Sequence, residues 1–392
     1  MTVRVNKSSF NIREKLSELG RKFGLKGSEL AAAETVQEAR EIVSAGRKNL
    51  IINGDMRIAQ RTTSSSTIIG SGYRALDRWK TEFSGYTAAA GTISQSSESP
   101  PGFNNSFRVN ITGPEGLASG DLATIRYRIE AQDCQQFAYG TSQAKTLTLS
   151  FWIRSSVTGT YTIGLYQTDD GRSLTLPYTV DNADTWEHKV ITIPPDTTGV
   201  IDDNSAEGFQ ISWNLSSGGN YKGTDHTTWG AYANGRWANG QTADLLGVAS
   251  NLYLTGVQLE VSKNATDFEH RSYGEELALC QRYYQRITNS SGNNSRTVML
   301  GGYNTTRAFG GLPLSVPMRT TTIAFTHNNL VLELINLSNT FAVTDIGRYG
   351  DMGDGGAFMG VEANAASGLS GGTIYYLTFQ GASSYLTLDA EL

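Results

Sequence analysis

The chain has 392 residues, enough for two or three domains and a sizeable core without covalent staples. Hydrophobic residues make up 39% and charged ones 18%, with 43 Gly, 18 Tyr and 8 Pro, a balance that excludes an acidic disordered chain and collagen. The net charge is −5, and a body this poor in lysine lacks the positive field that dominates nucleic-acid affinity, so no nucleic-acid partner is expected.

The opening is different in charge, with ten Lys/Arg against six Asp/Glu in residues 1–50. It reads as helix, break, helix. Asn11 and Glu14 have capping-box spacing, Ile12, Leu16 and Leu19 recur at helical spacing, and Gly20 is placed to stop the turn. A second helix is predicted over 28–43, with Leu30, Ala33, Val36, Ala39 and Val43 leaning to one side and Gly46 ending it. Helices this short are marginal alone, so their stripes (Ile12, Leu16, Leu19, Leu30, Val36, Val43) need an apolar neighbour: the body, a sister chain or another protein.

From Asn49 the pattern changes to period two. Leu50-Ile51-Ile52 leads into an Asn53-Gly54-Asp55 turn, and strand-like runs follow at 107–111, 123–129, 146–153, 160–166, 187–193, 209–213 and 251–259. The 146–153 run puts Leu147, Leu149 and Phe151 on one face, which favours antiparallel pairing in two packed sheets; no helical stretch separates the strands as a parallel α/β fold requires. Ser272 and Glu275 repeat the capping-box spacing ahead of a short helix whose Leu277, Cys280 and Tyr284 share a face. The last stretch, 287–392, has four Arg, no Lys and seven acidic residues, with strand candidates at 297–301, 321–326, 330–337, 341–344 and 373–379. The expected fold is therefore mainly β: a helical segment at 1–47, a β-sandwich at 48–270, a connecting helix at 271–286 and a small β domain at 287–392.

Little in the sequence points to catalysis. His188, His226, His270 and His327 are dispersed, Cys134 and Cys280 have no metal-ligand spacing and read as buried thiols, and the Asp351–Gly356 run is a turn without the terminal bidentate Glu of a calcium loop. Asp169-Asp170 and Asp202-Asp203 are the best carboxylate pairs, but Gly171 marks a hairpin turn more readily than a cleft with acids 5–9.5 Å apart. No apolar run reaches the about 20 residues of a membrane span and no apolar signal core opens the chain, so no membrane insertion is expected. The segment 221–240 stands out, with Tyr221, Trp229, Tyr232 and Trp237 among Asp225, Arg236, Gly and Asn. Flat rings and planar polar groups on a long loop suit a sugar, while the same aromatics also suit a plug at one end of the sandwich.

The run Gly46-Arg47-Lys48-Asn49-Leu50-Ile51-Ile52-Asn53-Gly54-Asp55-Met56-Arg57-Ile58-Ala59-Gln60-Arg61, with Tyr73 and Asp77-Arg78-Trp79, resembles the start of the carbohydrate-binding-module-like jelly roll in bacteriophage fibre and appendage proteins, particularly of cyanophages. The runs 147–153, 253–260 and 268–273 into 280–284, and the final Asp389-Ala390-Glu391-Leu392, agree in order, so the resemblance covers roughly 46–392. It implies a virion protein of a tail or head appendage, assembled in the host cytoplasm and commonly a homotrimer, which meets other virion proteins through its opening segment and a host surface glycan elsewhere. Such jelly rolls often hold a structural calcium, which this sequence leaves unplaced; no other cofactor is expected. The readings from other classes are a decoration protein with no ligand and a polysaccharide-depolymerising tailspike; no enzyme is expected, because the strands are short and no acidic cleft is evident. In the motif itself, Gly54 is read as permitting a positive φ, Asp55 as a partner for Arg57 or Arg78, and Trp79 as filler between the sheets.

Overall fold

A computed structural model describes residues 48–223, 227–289, 292–336, 338–350 and 358–392. The expected opening helices, with Ile12, Leu16, Leu19, Leu30, Val36 and Val43, lie outside the described residues, as do Asp225, Leu337 and the Asp351–Gly356 turn. Residues Leu50–Leu392 form one compact unit.

Its strands in chain order are β1 (Ser64–Ser65), β2 (Gly70–Tyr73), β3 (Trp79–Ser84), β4 (Ala90–Ser96), β5 (Ser106–Gly113), β6 (Leu122–Glu130), β7 (Leu147–Ser155), β8 (Gly159–Gln167), β9 (Arg172–Val180), β10 (Glu187–Ile193), β11 (Glu207–Ser217), β12 (Gly230–Ala231) and β13 (Ser250–Glu260). They make a six-stranded sheet, β1-β4-β5-β13-β7-β10, and a seven-stranded sheet, β12-β9-β8-β11-β6-β3-β2. The pairings within both sheets are antiparallel, as the alternation of 146–153 predicts. The gap between the sheets is filled by alternate side chains: Trp79, Phe107, Leu149, Phe151, Ile163 and Trp213 are each no more than 1% exposed. Trp79 takes the expected central place, with ring centroids 5.1 Å from Tyr127 and 5.5 Å from Trp213, and its Nε1 donates to the Asn53 carbonyl at 3.0 Å.

The Asn53–Met56 turn is built differently from the sequence expectation. The positive φ values fall on Asn53 (58°) and Met56 (61°). Gly54 is required by close approach instead: a Cβ there would run into the Val257 carbonyl oxygen. Asp55 pairs with Arg57, whereas Arg78, 1% exposed, is used elsewhere: it pairs with Glu391 and lies with its guanidinium carbon 3.4 Å from the Tyr283 ring centroid.

The helix follows as α1 (Tyr273–Gln281), with Ser272 Oγ accepting from Glu275 N at 3.3 Å. Its buried residues are Glu276 and Cys280; Leu277 is only half-buried, and Tyr284 falls in a strand instead of on the helix. Glu276 is drawn inward by the Asn53 amide and by Arg271 at 3.3 Å. Beyond it lie β14 (Tyr284–Thr288), β15 (Ser295–Gly302), β16 (Arg307–Pro313), β17 (Ala324–Asn328), β18 (Leu330–Leu334), β19 (Thr340–Arg348), β20 (Phe358–Ala365), β21 (Ile374–Phe379) and β22 (Tyr385–Asp389). Six of these close into a barrel, β15-β16-β20-β19-β18-β21, and β14-β22-β17 form a small sheet beside it, with a second apolar core around Leu300, Leu332, Val361 and Leu377. The fold is thus mainly β, a sandwich followed by a short helix and a small β barrel.

The last residues are tied to the sandwich. Arg61 reaches Asp389 at 2.9 Å, Glu391 at 3.4 Å and Asp77 at 3.7 Å, and Tyr73 Oη donates to the Leu392 carbonyl at 2.9 Å. Burial pushes the Asp77 carboxyl up to about 6, against the pull of Arg61.

Candidate functional site

Period two sends every second residue of the seven-stranded sheet outward, away from the core. The registers align these outward residues in rows: Lys80 beside Arg126, then Ser212 and Gly164; Arg128 beside Gln210, then Tyr166. One half of this face is covered by residues 218–223 and 227–243. Trp237 lies against Gly164, where a Cβ would crowd its ring, and its carbonyl accepts from Asn214 Nδ2 at 2.8 Å. Gln241 accepts from Ser217 Oγ at 2.9 Å, and the Arg236 carbonyl accepts from Thr175 Oγ1.

The other half is a polar floor beside an aromatic wall. Arg126 pairs with Glu82 at 2.6 Å and Arg128 with Glu207 at 3.1 Å, while Lys80 has no carboxylate in ion-pair reach among the described residues. Three cations against two carboxylates leave the floor with one excess positive charge. Burial, followed by Arg128 and Arg126, holds the Lys80 ammonium below its ordinary pKa. The wall is Tyr166, Tyr232 and Trp237, with Tyr232 5.3 Å from Tyr166 and 5.9 Å from Trp237 between ring centroids. Tyr232 is 44% exposed, Trp237 only 3%. Arg126 sits 5.8 Å from the Trp237 ring centroid, joining floor to wall. Burial raises the Tyr232 phenol, so its hydroxyl stays protonated and donates to Asn234 Oδ1 at 2.9 Å.

The structure thus divides the residues singled out in 221–240. Tyr232 is at the surface and Tyr221 is half-buried close to it. Trp237 is inside, and Trp229 packs on the sandwich core with Nε1 donating to the Pro194 carbonyl at 2.8 Å, so these two plug instead of presenting open faces. Arg236 donates to the Ala231 carbonyl at 2.8 Å, which turns it toward its own loop. Lys80, Glu82, Arg126, Arg128, Glu207, Gln210 and Tyr166 were not singled out by sequence. The alternation Ile125-Arg126-Tyr127-Arg128-Ile129 carried the signal, since two arginines between core residues must share the outer face.

Asp169 and Asp202 come together across two loops, Asp169 Oδ2 accepting from Asp202 N at 3.0 Å, but Asp169 and Asp170, on the β8–β9 hairpin tip with Gly171 at φ 60°, and Asp202 and Asp203, in the β10–β11 loop, are all exposed. Cys134 and Cys280 are buried and unbridged, and burial pushes both thiols up. Among the described residues no group of three His, Cys, Asp or Glu is placed to hold a metal, so no calcium position is assigned. No helix among them is long and apolar enough to cross a membrane.

No family model matches the chain. No curated protein matches it either. Among solved structures it is similar to the enzymatically active domain of bacteriophage CBA120 tailspike protein 4, at 13% identity and TM-score 0.31 over 55% of this chain and 21% of that one. It is also similar to a CBM4 structure (16%, 0.29, 54% and 98%) and to the family 11 carbohydrate-binding module of a Clostridium thermocellum cellulase (15%, 0.26, 53% and 100%). Likenesses this distant decide neither fold nor function; the sandwich stands on its own strand registers.

Proposed function

We propose that this chain is a non-enzymatic, glycan-binding β-sandwich protein that serves as a subunit of a bacteriophage tail or head appendage. The observation that carries the binding reading is the outer face of the seven-stranded sheet, where exposed Tyr232 stands beside Tyr166 over Arg126, Arg128 and Lys80. Phenol faces meet the C–H faces of sugar rings, and guanidinium and amide groups pair with hydroxyls in fixed directions. The two carboxylates of this face, Glu82 and Glu207, are each engaged by an arginine, which supports a binding floor over a pair of catalytic acids.

The appendage, the homotrimer and attachment through the opening segment rest on the motif order from residue 46 onward. A closed trimer would let weak sugar contacts add, since tethered sites share a high effective concentration. A glycan array tests the binding reading. Wild type is expected to mark a defined set of glycans, and Arg126→Ala and Tyr232→Ala each to lower those signals at least ~10-fold, about 1.4 kcal/mol. An array blank for wild type would favour a ligand-free decoration protein, and release of fragments from a polysaccharide would favour a depolymerising tailspike.

A further inference from the structure

A pocket of about 270 Å³ opens on the opposite layer of the molecule, lined by Asp55, Arg57, Phe103, Asn104, Asn105 and Tyr273 together with Gly102. It lies where the Asn53–Met56 turn, the β4–β5 loop and the first turn of α1 meet. Its apolar wall is held in place: Phe103 packs edge-on against Phe268 at 5.1 Å and lies 5.5 Å from His270, in a space kept open because Gly256 has no side chain. Opposite, Tyr273 is 59% exposed, a large ring left in water at the rim. The polar groups are underused. Asp55 is 7% exposed; Arg57 takes one carboxylate oxygen, and the other, Oδ1, is buried with no hydrogen-bond partner. Neither Asn104 nor Asn105 commits its side-chain amide to a partner among the described residues.

We infer that this pocket is a second binding site, which takes a single neutral hexose residue with Tyr273 and Phe103 against its C–H faces and Asp55, Asn104 and Asn105 on its hydroxyls. A buried carboxylate oxygen without a donor is costly, and a sugar hydroxyl supplies the donor that the protein withholds. Two side-chain amides offer both donors and acceptors, as a polyol needs. The volume suits one ring. A divalent cation is the poorer occupant, because Arg57 already neutralises Asp55 and no second carboxylate, histidine or thiol lines the pocket.

The test is saturation-transfer NMR on the full chain with glucose, galactose, mannose and N-acetylglucosamine, repeated with calcium chloride alone observed through protein shifts. At least one hexose is expected to bind saturably, with Kd on the order of 1 mM, and at least ~10-fold more weakly to Tyr273→Ala, an exposed position whose truncation spares the core. Asp55→Asn is expected to weaken it as well. Absence of binding by all four sugars, binding unchanged in Tyr273→Ala, or calcium binding abolished by Asp55→Asn would each overturn the inference. Binding lost in Arg126→Ala but kept in Tyr273→Ala would place the sugar on the seven-stranded sheet, overturning the pocket while leaving the proposed function intact.

Discussion

Gly54 has two possible physical roles, and the structure selects the less obvious one. The residues around it twist through positive φ themselves, Asn53 at 58° and Met56 at 61°, so what Gly54 provides is absence: its missing Cβ lets the turn lie against the Val257 carbonyl, where the Val257 amide donates to Gly54 O at 2.9 Å. A Gly54→Ala chain must therefore shift backbone, not a flexible side chain, and is expected to lose about 1–3 kcal/mol or more, read as a lower urea midpoint at unchanged slope. A midpoint within ~0.3 kcal/mol of wild type would mean that the turn stands off from β13. Sequence alone identified Gly54 as special but assigned the wrong reason, because a close approach depends on a residue about 200 positions away. Trp79 was legible, since a tryptophan opening a strand after a charged pair has few places to go but inward. Trp237 and Trp229 were not: a loop's polar composition does not say which of its aromatics turn toward the body.

At the scale of elements, the strands with clean alternation were legible and the others were not. Glu187–Ile193 falls on the predicted bounds, and Leu147–Ser155 and Ser250–Glu260 lie within one or two residues of theirs. Strand β4 escaped detection because Gly, Ser and Thr supply four of its seven residues, a composition that reads as loop until a neighbouring strand supplies hydrogen bonds; β16, β20 and β22 escaped it as well. The candidate site followed the same division: the loop was visible, but the arginines of β6 under it were not, because period-two residues facing outward look like ordinary solvated surface. The helix α1 was anticipated from Ser272 and Glu275, and its cap is formed as the spacing implies. Ser272→Ala leaves the Glu275 amide unpartnered by a side chain and is expected to cost about 1 kcal/mol, measured by chemical denaturation; a neutral effect would show that tertiary contacts of Glu276 and Cys280 alone hold the helix.

At the scale of the whole molecule, sandwich and C-terminal strands are joined by a knot of charge, buried except at Asp389, in which Arg61 spans Asp77, Asp389 and Glu391. Asp77 is fully buried, and its carboxyl is raised to about 6 from 3.8. A raised acid contributes stability below its unfolded pKa that is lost as pH rises through the folded value, because the folded state holds the proton longer. The contribution of Asp77 is therefore expected to fall between pH 4 and about 6. Asp196 and Glu187 act oppositely: burial raises each, but the hydrogen bonds each accepts together outweigh it, from Arg172, Gln167 and the Thr198 amide for Asp196 and from Lys189 and the Asn182 and Asp181 amides for Glu187, leaving both below their ordinary values. Comparing wild type with Asp77→Asn across pH 4.5 to 7.5 isolates the first effect; the variant's stability is expected to fall less steeply with rising pH, and parallel curves would mean that Asp77 is ionised throughout.

The proposed function rests on one surface being the place where a glycan sits and is left whole. Hydrogen–deuterium exchange on the full chain, with and without the strongest array glycan, tests it directly. The account predicts added protection confined to segments around Lys80–Glu82, Arg126–Arg128, Glu207–Ser212 and Tyr232, with no glycan fragments released during the experiment. Protection centred on the barrel, or cleavage of the glycan in the tube, would contradict it.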